Sequence, residues 1–381
     1  MDFAWSDEQA GMRASIAKFA RAELSNGYPE REKHGEFNRE GWKKCAAMGI
    51  HGLPVPEQYG GMGMDALTTV GVLESLGYGC VDNGLVFSIN AHMWTLEIPL
   101  LHFGTDAQKN RFLPLLCRGD LIGANAMSEP GSGSDAYSLT TTAEKRAGHY
   151  VLNGSKVFVT NGPLADLFIV YATVDRSKGP NGVSAFLVEK GAPGFSFGAP
   201  TQKMGLKTSP MCELYFDNCE VPEENRLGRE GAGKNLFTDS MTWERGCILA
   251  GAVGTMQRIL ETCIRYAAER RQFGQSIGKF QLIASKIVDM KIRLETSRAL
   301  LYQAGWLKSK GKSTFLEAAM AKLHISESYV QTAQEAIQIH GGYGYMAEYE
   351  MERELRDAIS SKLYSGTSEI QRLIIAPLLG L

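Results

Sequence analysis

The sequence predicts an α+β protein built as helices, then strands, then helices. Three observations carry this prediction. Apolar residues recur at helical spacing through the first third of the chain and again through its long final part. Between them, from Ile122 to about Pro222, the chain is rich in Val, Thr, Phe and Gly, with period-two stretches such as Tyr150-Val151-Leu152 and Lys156-Val157-Phe158-Val159-Thr160. The turn pairs Asn153-Gly154, Asn161-Gly162 and Asn181-Gly182 punctuate that block and predict a compact β-barrel or sandwich of short strands. The expected divisions are an N-terminal helical domain at 1–120, a middle β domain at 121–228 and a C-terminal helical bundle at 229–381.

Taken in order, Ser6-Asp7-Glu8 reads as a cap opening a helix to Leu24, with Met12, Ile16, Phe19 and Ala20 on one face. A second helix runs from Asn38 to Met48 and stops at Gly49. Prolines and paired glycines forbid helix across Leu53–Gly61. Further helices are expected at Ala66–Leu76, at Ser88–Phe103 (carrying His92), and from a capping Asp106 to Leu116. Composition shifts after Arg118-Gly119-Asp120. In the middle block Asn153-Gly154 is the strongest hairpin signal. From about Gly231 onward, long periodic segments run at Asn235–Arg271, Gln281–Lys308 and Ser313–Ile339.

With 381 residues, 44% of them hydrophobic, the chain can bury substantial cores. Its 40 basic and 42 acidic residues nearly balance, so neither nucleic acid nor an anionic membrane is expected as main partner. Met1 to Glu8 is acidic and opens an amphipathic helix rather than a targeting run, and the apolar runs look too short to span a bilayer. Seven scattered cysteines without a CxxC pair suggest reduced packing residues, no disulfide framework and no metal site. A cytoplasmic protein is expected.

The stretch Ser240-Met241-Thr242-Trp243-Glu244-Arg245-Gly246 leads into Cys247–Leu260, where Arg258 is the only charge. A carboxylate at the entrance to such an apolar helix costs free energy unless it is paired or used. Glu244 is read as a cap, as the partner of a distant basic group, or as a working carboxylate. A capping box asks for Ser or Thr where Met241 stands. Elsewhere, Ser128-Glu129-Pro130-Gly131-Ser132-Gly133-Ser134-Asp135 offers free backbone N–H groups to a flat or anionic ligand, or is simply a surface turn. Gly341-Gly342-Tyr343-Gly344 follows a helix and not a strand, which disfavours a nicotinamide-binding fingerprint. Arg270-Arg271-Gln272-Phe273-Gly274 reads as a basic helix end with a glycine stop, and His340 as a packing histidine.

The chain resembles the acyl-CoA dehydrogenase family of flavoproteins over essentially its whole length. The matching stretches are Met127–Asp135, Asn153–Gly162, Glu269–Gly274, Gln338–Tyr345 and Leu363–Arg372. This resemblance implies a helical domain, a β domain and a four-helix bundle, with FAD held between domains and across a subunit interface. By position it implies Met127, Ser128, Phe158 and Thr160 at the isoalloxazine ring, and Ser134 beside the pyrophosphate or substrate. It implies Arg270, Gln272, Phe273, Gln281, Gln338, Gly341 and Gly342 at the adenosine side of a neighbouring subunit's FAD, and Thr367 and Glu369 near the ribityl and phosphate region. A homotetramer is implied as well.

One departure matters. Many members carry the catalytic glutamate just before the Gly-Thr of the final motif, where this chain has Ser365. A minority carry the base on the helix that opens the bundle, where this chain has Glu244, so the resemblance makes Glu244 the base. The implied reaction removes the α-proton of a thioester while a hydride leaves for the flavin, the electrons ending on a partner flavoprotein or oxygen. Where CoA-dependent members often carry an aspartate, this chain has Thr242. Ser-Met-Thr-Trp-Glu-Arg, the Tyr364-Ser365-Gly366-Thr367-Ser368 string, Gly84–Phe87 and His92 look most like the prolyl-carrier-protein dehydrogenases. Ser134, Thr242, Arg245, His92 and Ser365 are then the substrate-side candidates, and the substrate is an acyl group on a carrier protein. An acyl-CoA dehydrogenase and a non-catalytic FAD-binding scaffold stay open as alternatives.

Overall fold

The computed structural model describes residues 5–381; Met1 to Ala4, part of the acidic lead into the first helix, lie outside the described residues. Helix α1 (Asp7–Glu23) opens on a capping box in which Ser6 and Gln9 satisfy each other's backbone N–H groups. Six further helices follow: α2 (Tyr28–His34), α3 (Arg39–Ala47), α4 (Ala66–Gly79), α5 (Asn83–His92), α6 (Ile98–Phe103) and α7 (Asp106–Cys117). The predicted 88–103 helix starts earlier, because Asp82 caps α5 through the Leu85 N–H, and a π-helical turn at Met93–Glu97 joins α5 to α6. Thr105, rather than Asp106, is the cap of α7.

The middle block is one eight-stranded sheet: β1 (Gly123–Ala126), β2 (Thr142–Arg146), β3 (His149–Thr160), β4 (Leu167–Thr173), β5 (Val183–Glu189), β6 (Phe195–Phe197), β7 (Met211–Pro222) and β8 (Arg226–Leu227). Its order is β6-β7-β3-β2-β4-β5-β8, with β1 parallel to β4. The halves join between β2 and β4 only at Thr142 and Thr173. Across them Phe168 packs on Phe195 and Tyr150 on Phe186, with ring centroids 5.0 and 4.9 Å apart, so the sheet folds over itself as a sandwich. The other face of β4 and β5 (Ile169, Tyr171, Leu187) packs with Leu100, Phe112 and Leu236 from helices on either side in the chain. Both faces of β4 are therefore buried, and its seven residues are apolar or small in consequence.

The hairpin expected at Asn153-Gly154 is absent. β3 runs straight through it as a twelve-residue strand paired with β7, with a bulge between Leu152 and Gly154. Gly154 takes φ 144°, and a Cβ there would stand 2.6 Å from Thr141 Oγ1, so glycine serves a close strand approach and not a turn.

The C-terminal block comprises α8 (Gly233–Cys247), α9 (Ala250–Glu269), α10 (Gln281–Ser309), α11 (Phe315–His340), α12 (Met351–Ser360) and α13 (Ser368–Leu378). The expected Asn235–Arg271 helix is two helices, so Glu244 lies in the last turn of α8 and not at a helix entrance. Together they form the one stretch among the described residues long and apolar enough to cross a membrane, and two thirds of its most apolar window is buried inside the protein as core.

Candidate active site

α8 is an amphipathic helix whose buried side carries Leu236, Ser240, Met241, Glu244 and Cys247, a stripe at helical spacing. Glu244 is thus carried inward by the same periodicity that buries its apolar neighbours. Its carboxylate meets Ser365, whose Oγ donates to Oε1 at 2.5 Å, while Oε2 has no hydrogen-bond partner among the described residues. Burial pushes its pKa above the ordinary carboxylate value, against the Ser365 hydrogen bond and the positive charges of Arg245 and Lys322. A buried, half-satisfied carboxylate with a raised pKa is built to take a proton.

Arg245 donates from Nε to the Ser365 carbonyl at 3.0 Å. Thr242 turns its hydroxyl back to the Thr238 carbonyl at 2.8 Å, within its own helix. Beside Ser365, the Tyr364 ring packs on Phe87 of α5 with centroids 4.7 Å apart. The next residue of α5, Ser88, accepts through its carbonyl from Asn161 Nδ2 at 3.1 Å, and Gly123 O accepts from the same amide at 3.2 Å. α5 therefore ties the Glu244–Ser365 contact to the end of β3, where Phe158 and Thr160 stand.

Phe158 is 70% exposed and has φ 57°, in a register shift of β3 against β7. A bulky residue in the left-handed region is strained, and here the strain holds the aromatic ring out from the bulge. Met127 and Ser128 lie beside it at the end of β1, where Val157 N–H bonds the Ser128 carbonyl at 2.9 Å. Glu129 staples this loop: it accepts from Thr140 N–H and Oγ1 (both 2.6 Å), Thr141 N–H (3.0 Å) and the fully buried Lys156 Nζ (2.8 Å). Lys156 also holds the Met127 carbonyl at 3.0 Å. Ser134 is exposed on the loop, and a Cβ at Gly131 or Gly133 would meet open space.

A separate groove of about 970 Å³ opens between the ends of α9, α10 and α11 and includes Arg270, Gln272, Phe273, Gln281, Gly341 and Gly342. Six of the seven residues expected at a neighbour's adenosine thus converge. Gln338, the seventh, is exposed on α11 outside the groove lining. His340 is a packing histidine, stacked on Tyr266 at 4.1 Å. Thr367 caps α13 by accepting from Ile370 N–H, and Glu369 is exposed in its first turn.

Two expectations change. His92 is fully buried beside Trp42 and His51; its Nδ1 accepts from Gly123 N–H at 2.9 Å and its Nε2 pairs with Glu97 at 3.1 Å. Both nitrogens are engaged and no face is accessible, so His92 holds the core and not the substrate. Ser365 turns its hydroxyl to Glu244 and not outward to a ligand. Sequence reasoning missed Glu129 and Lys156 as a staple, and it missed Lys322. Lys322 follows Ala318 by four residues and precedes Ile325 by three, so a lysine on an apolar stripe was the available signal.

Family models described as the N-terminal, middle and C-terminal domains of acyl-CoA dehydrogenase match residues 6–120, 124–219 and 231–379. An L-prolyl peptidyl-carrier protein dehydrogenase from Serratia sp. is 44% identical, the match covering 100% of this chain and 99% of that protein. The crystal structure of the prolyl acyl carrier protein oxidase AnaB is 54% identical, with TM-score 0.98 over 99% of this chain and 100% of AnaB. A structure of PigA with FAD and proline is 44% identical, with TM-score 0.98 over the whole of both chains. With all three domain models matched in order and relatives of this identity spanning its full length, the chain belongs to the acyl-CoA dehydrogenase family.

Proposed function

We propose that this protein is an FAD-dependent dehydrogenase or oxidase of a carrier-protein-tethered prolyl thioester, with Glu244 as the base. The observation that carries the reading is the buried Glu244 carboxylate, held by Ser365 on one oxygen and without a hydrogen-bond partner among the described residues on the other. The likeness to AnaB and PigA supports the prolyl carrier-protein substrate, as does Thr242 where CoA-dependent members often carry aspartate.

The residues present fit FAD. Phe158 projects an open aromatic face from a strained bulge, and the exposed glycines of the Ser128–Asp135 loop leave room for a ligand against the backbone. Met127, Ser128, Phe158 and Thr160 would hold the ring system, with Ser134, Thr367 and Glu369 toward the linking chain. Arg270, Gln272, Phe273, Gln281 and Gly341-Gly342 would take the adenosine end from an adjacent subunit. When bound, FAD supplies the two-electron acceptor for the hydride that leaves the substrate.

Glu244 then takes the α-proton at Oε2. Its desolvation makes it basic enough for the task, because burial withholds the water that would stabilise the charged form. A homotetramer in the cytoplasm, divided at 1–120, 121–228 and 229–381, completes the proposal. Phe273 (94% exposed) and Leu282 (81%) at the groove, with Val288 and Ile292 further along α10, are exposed apolar side chains that a second copy would bury.

Anaerobic bleaching of the flavin absorbance tests the reading. Prolyl-loaded carrier protein is expected to bleach the enzyme, free acyl-CoA thioesters to leave it oxidised, and Glu244→Gln to bind FAD yet bleach at least a thousandfold more slowly. Bleaching by acyl-CoA alone would return the enzyme to the CoA-dependent members. A fully active Glu244→Gln would remove Glu244 from the chemistry.

A further inference from the structure

Ser365 and Gly366 form a turn with φ 58° and 90°. Glycine adopts this left-handed conformation freely and serine does not, so a serine kept there needs a reason. Three side chains from three elements pin the turn by its carbonyls. Arg245 Nε and Gln371 Nε2 donate to Ser365 O at 3.0 and 3.1 Å; Lys322 Nζ and Gln371 Nε2 donate to Gly366 O at 2.7 and 2.8 Å. With both carbonyls held, the backbone of the turn is fixed, and it aims the Ser365 hydroxyl at Glu244 Oε1.

We propose that Ser365, locked in its turn by Arg245, Lys322 and Gln371, is a positioning residue that fixes Glu244 through Oε1 and leaves Oε2 to receive the substrate proton. The inference rests on the reading of Glu244 as base. The proton passes from the substrate α-carbon to Oε2, and Ser365 keeps its own proton throughout. The charged groups facing Glu244 are Arg245 on its own helix and Lys322 on α11, and the phenols Tyr364 and Tyr171 are both held protonated by burial and by the Glu244 charge. Lys308, His102 and Asp239 are turned elsewhere: Lys308 and His102 lie against the Trp243 ring, and Asp239 bonds His102.

A hydroxyl donating to a carboxylate favours its charged form, so removing it raises the carboxyl pKa. The test is the infrared carboxyl band of Glu244 in the substrate-free FAD enzyme, identified as the band lost in Glu244→Gln and followed against pH. Ser365→Gly suits the left-handed turn and removes only the hydroxymethyl group; it is expected to raise the Glu244 midpoint by about one pH unit. Lys322→Met is expected to shift it the same way. In the bleaching assay the acid limb of the Ser365→Gly rate moves up with the midpoint, the limiting rate falls about tenfold, and half-saturation by prolyl-loaded carrier protein stays in place. An unmoved midpoint overturns the proposal, as does a raised half-saturating concentration with an unmoved limb, which would make Ser365 a substrate contact. Failure of the base reading is seen separately, in an active Glu244→Gln. FAD content and melting temperature show that each variant is folded, and Ser365→Ala repeats the measurement without glycine's added freedom.

Discussion

Replacing Glu129 by Gln tests the staple under the Ser128–Asp135 loop. Glu129 is 3% exposed and accepts four hydrogen bonds, one of them from a lysine with no exposed surface. Burial would raise its pKa, but the Lys156 charge and the Thr140 and Thr141 donors hold it at about 2. Against the ordinary glutamate value of 4.5, that depression is worth roughly 3 kcal/mol. Because the folded pKa lies below the unfolded one, this contribution is full above about pH 4.5 and is lost as pH falls toward 2. Burial meanwhile pushes Lys156 down to about 8, a cost of similar size, so the intact pair comes close to breaking even. Breaking it does not. Glutamine offers one acceptor and turns an amide NH₂ toward donors, stranding the Lys156 charge at a cost of about 3–5 kcal/mol. At roughly 2–4 °C per kcal/mol, the FAD-loaded protein is expected to melt about 6–20 °C lower at pH 7. The double variant Glu129→Leu/Lys156→Met, which removes both charges, should recover most of that loss. Calorimetry at pH 7 gives the answer. Glu129→Gln melting within about 1 °C of the parent, or the double variant melting below Glu129→Gln, would refute the reasoning.

Other sites give sharper functional contrasts. Phe158→Gly relieves the positive φ while removing a mostly exposed ring; stability of the FAD-free protein should stay within about 1 kcal/mol, while FAD, titrated by flavin fluorescence, binds about tenfold more weakly. Unchanged FAD affinity would mean that the ring does not stack on the cofactor. His92→Ala leaves the Gly123 N–H and Glu97 unpaired in the core and should cost about 2–4 kcal/mol in denaturant unfolding. The half-saturating thioester concentration of the folded remainder should not change; a rise with stability intact would restore His92 to the substrate.

The sequence carried the order of the elements well where local chemistry decides. Ser6 with Gln9 announces α1, and unbroken apolar periodicity announces the bundle helices. It misled at Asn153-Gly154, where a strong turn pair is overruled by pairing with β7: Asn153 Oδ1 accepts from Asn218 N–H at 2.8 Å and Gly154 makes a bulge. The break between α8 and α9 was hidden because Ile248 and Leu249 continue the apolar run. Of the site, Glu244 was legible as a charge on an apolar stretch, and Ser365 as a departure from a motif. The clamp of Arg245, Lys322 and Gln371 was not, because it joins groups up to 126 positions apart and no local pattern encodes that meeting.

The 2.5 Å contact between Ser365 and Glu244 also explains why a family would carry its base at one of these positions and not at both. Side chains from the last turn of α8 and from the turn before α13 converge on one buried point, so a carboxylate delivered from either direction reaches it. Two carboxylates there would share one desolvated space, and one of them would be forced to keep its proton at neutral pH. A carboxylate facing a hydroxyl avoids that conflict: the hydroxyl donates to one oxygen, which favours the charged form, and the second oxygen has no hydrogen-bond partner among the described residues. On the function proposed above, the serine that replaces a base at one end of the chain is what positions the glutamate at the other end to act as one.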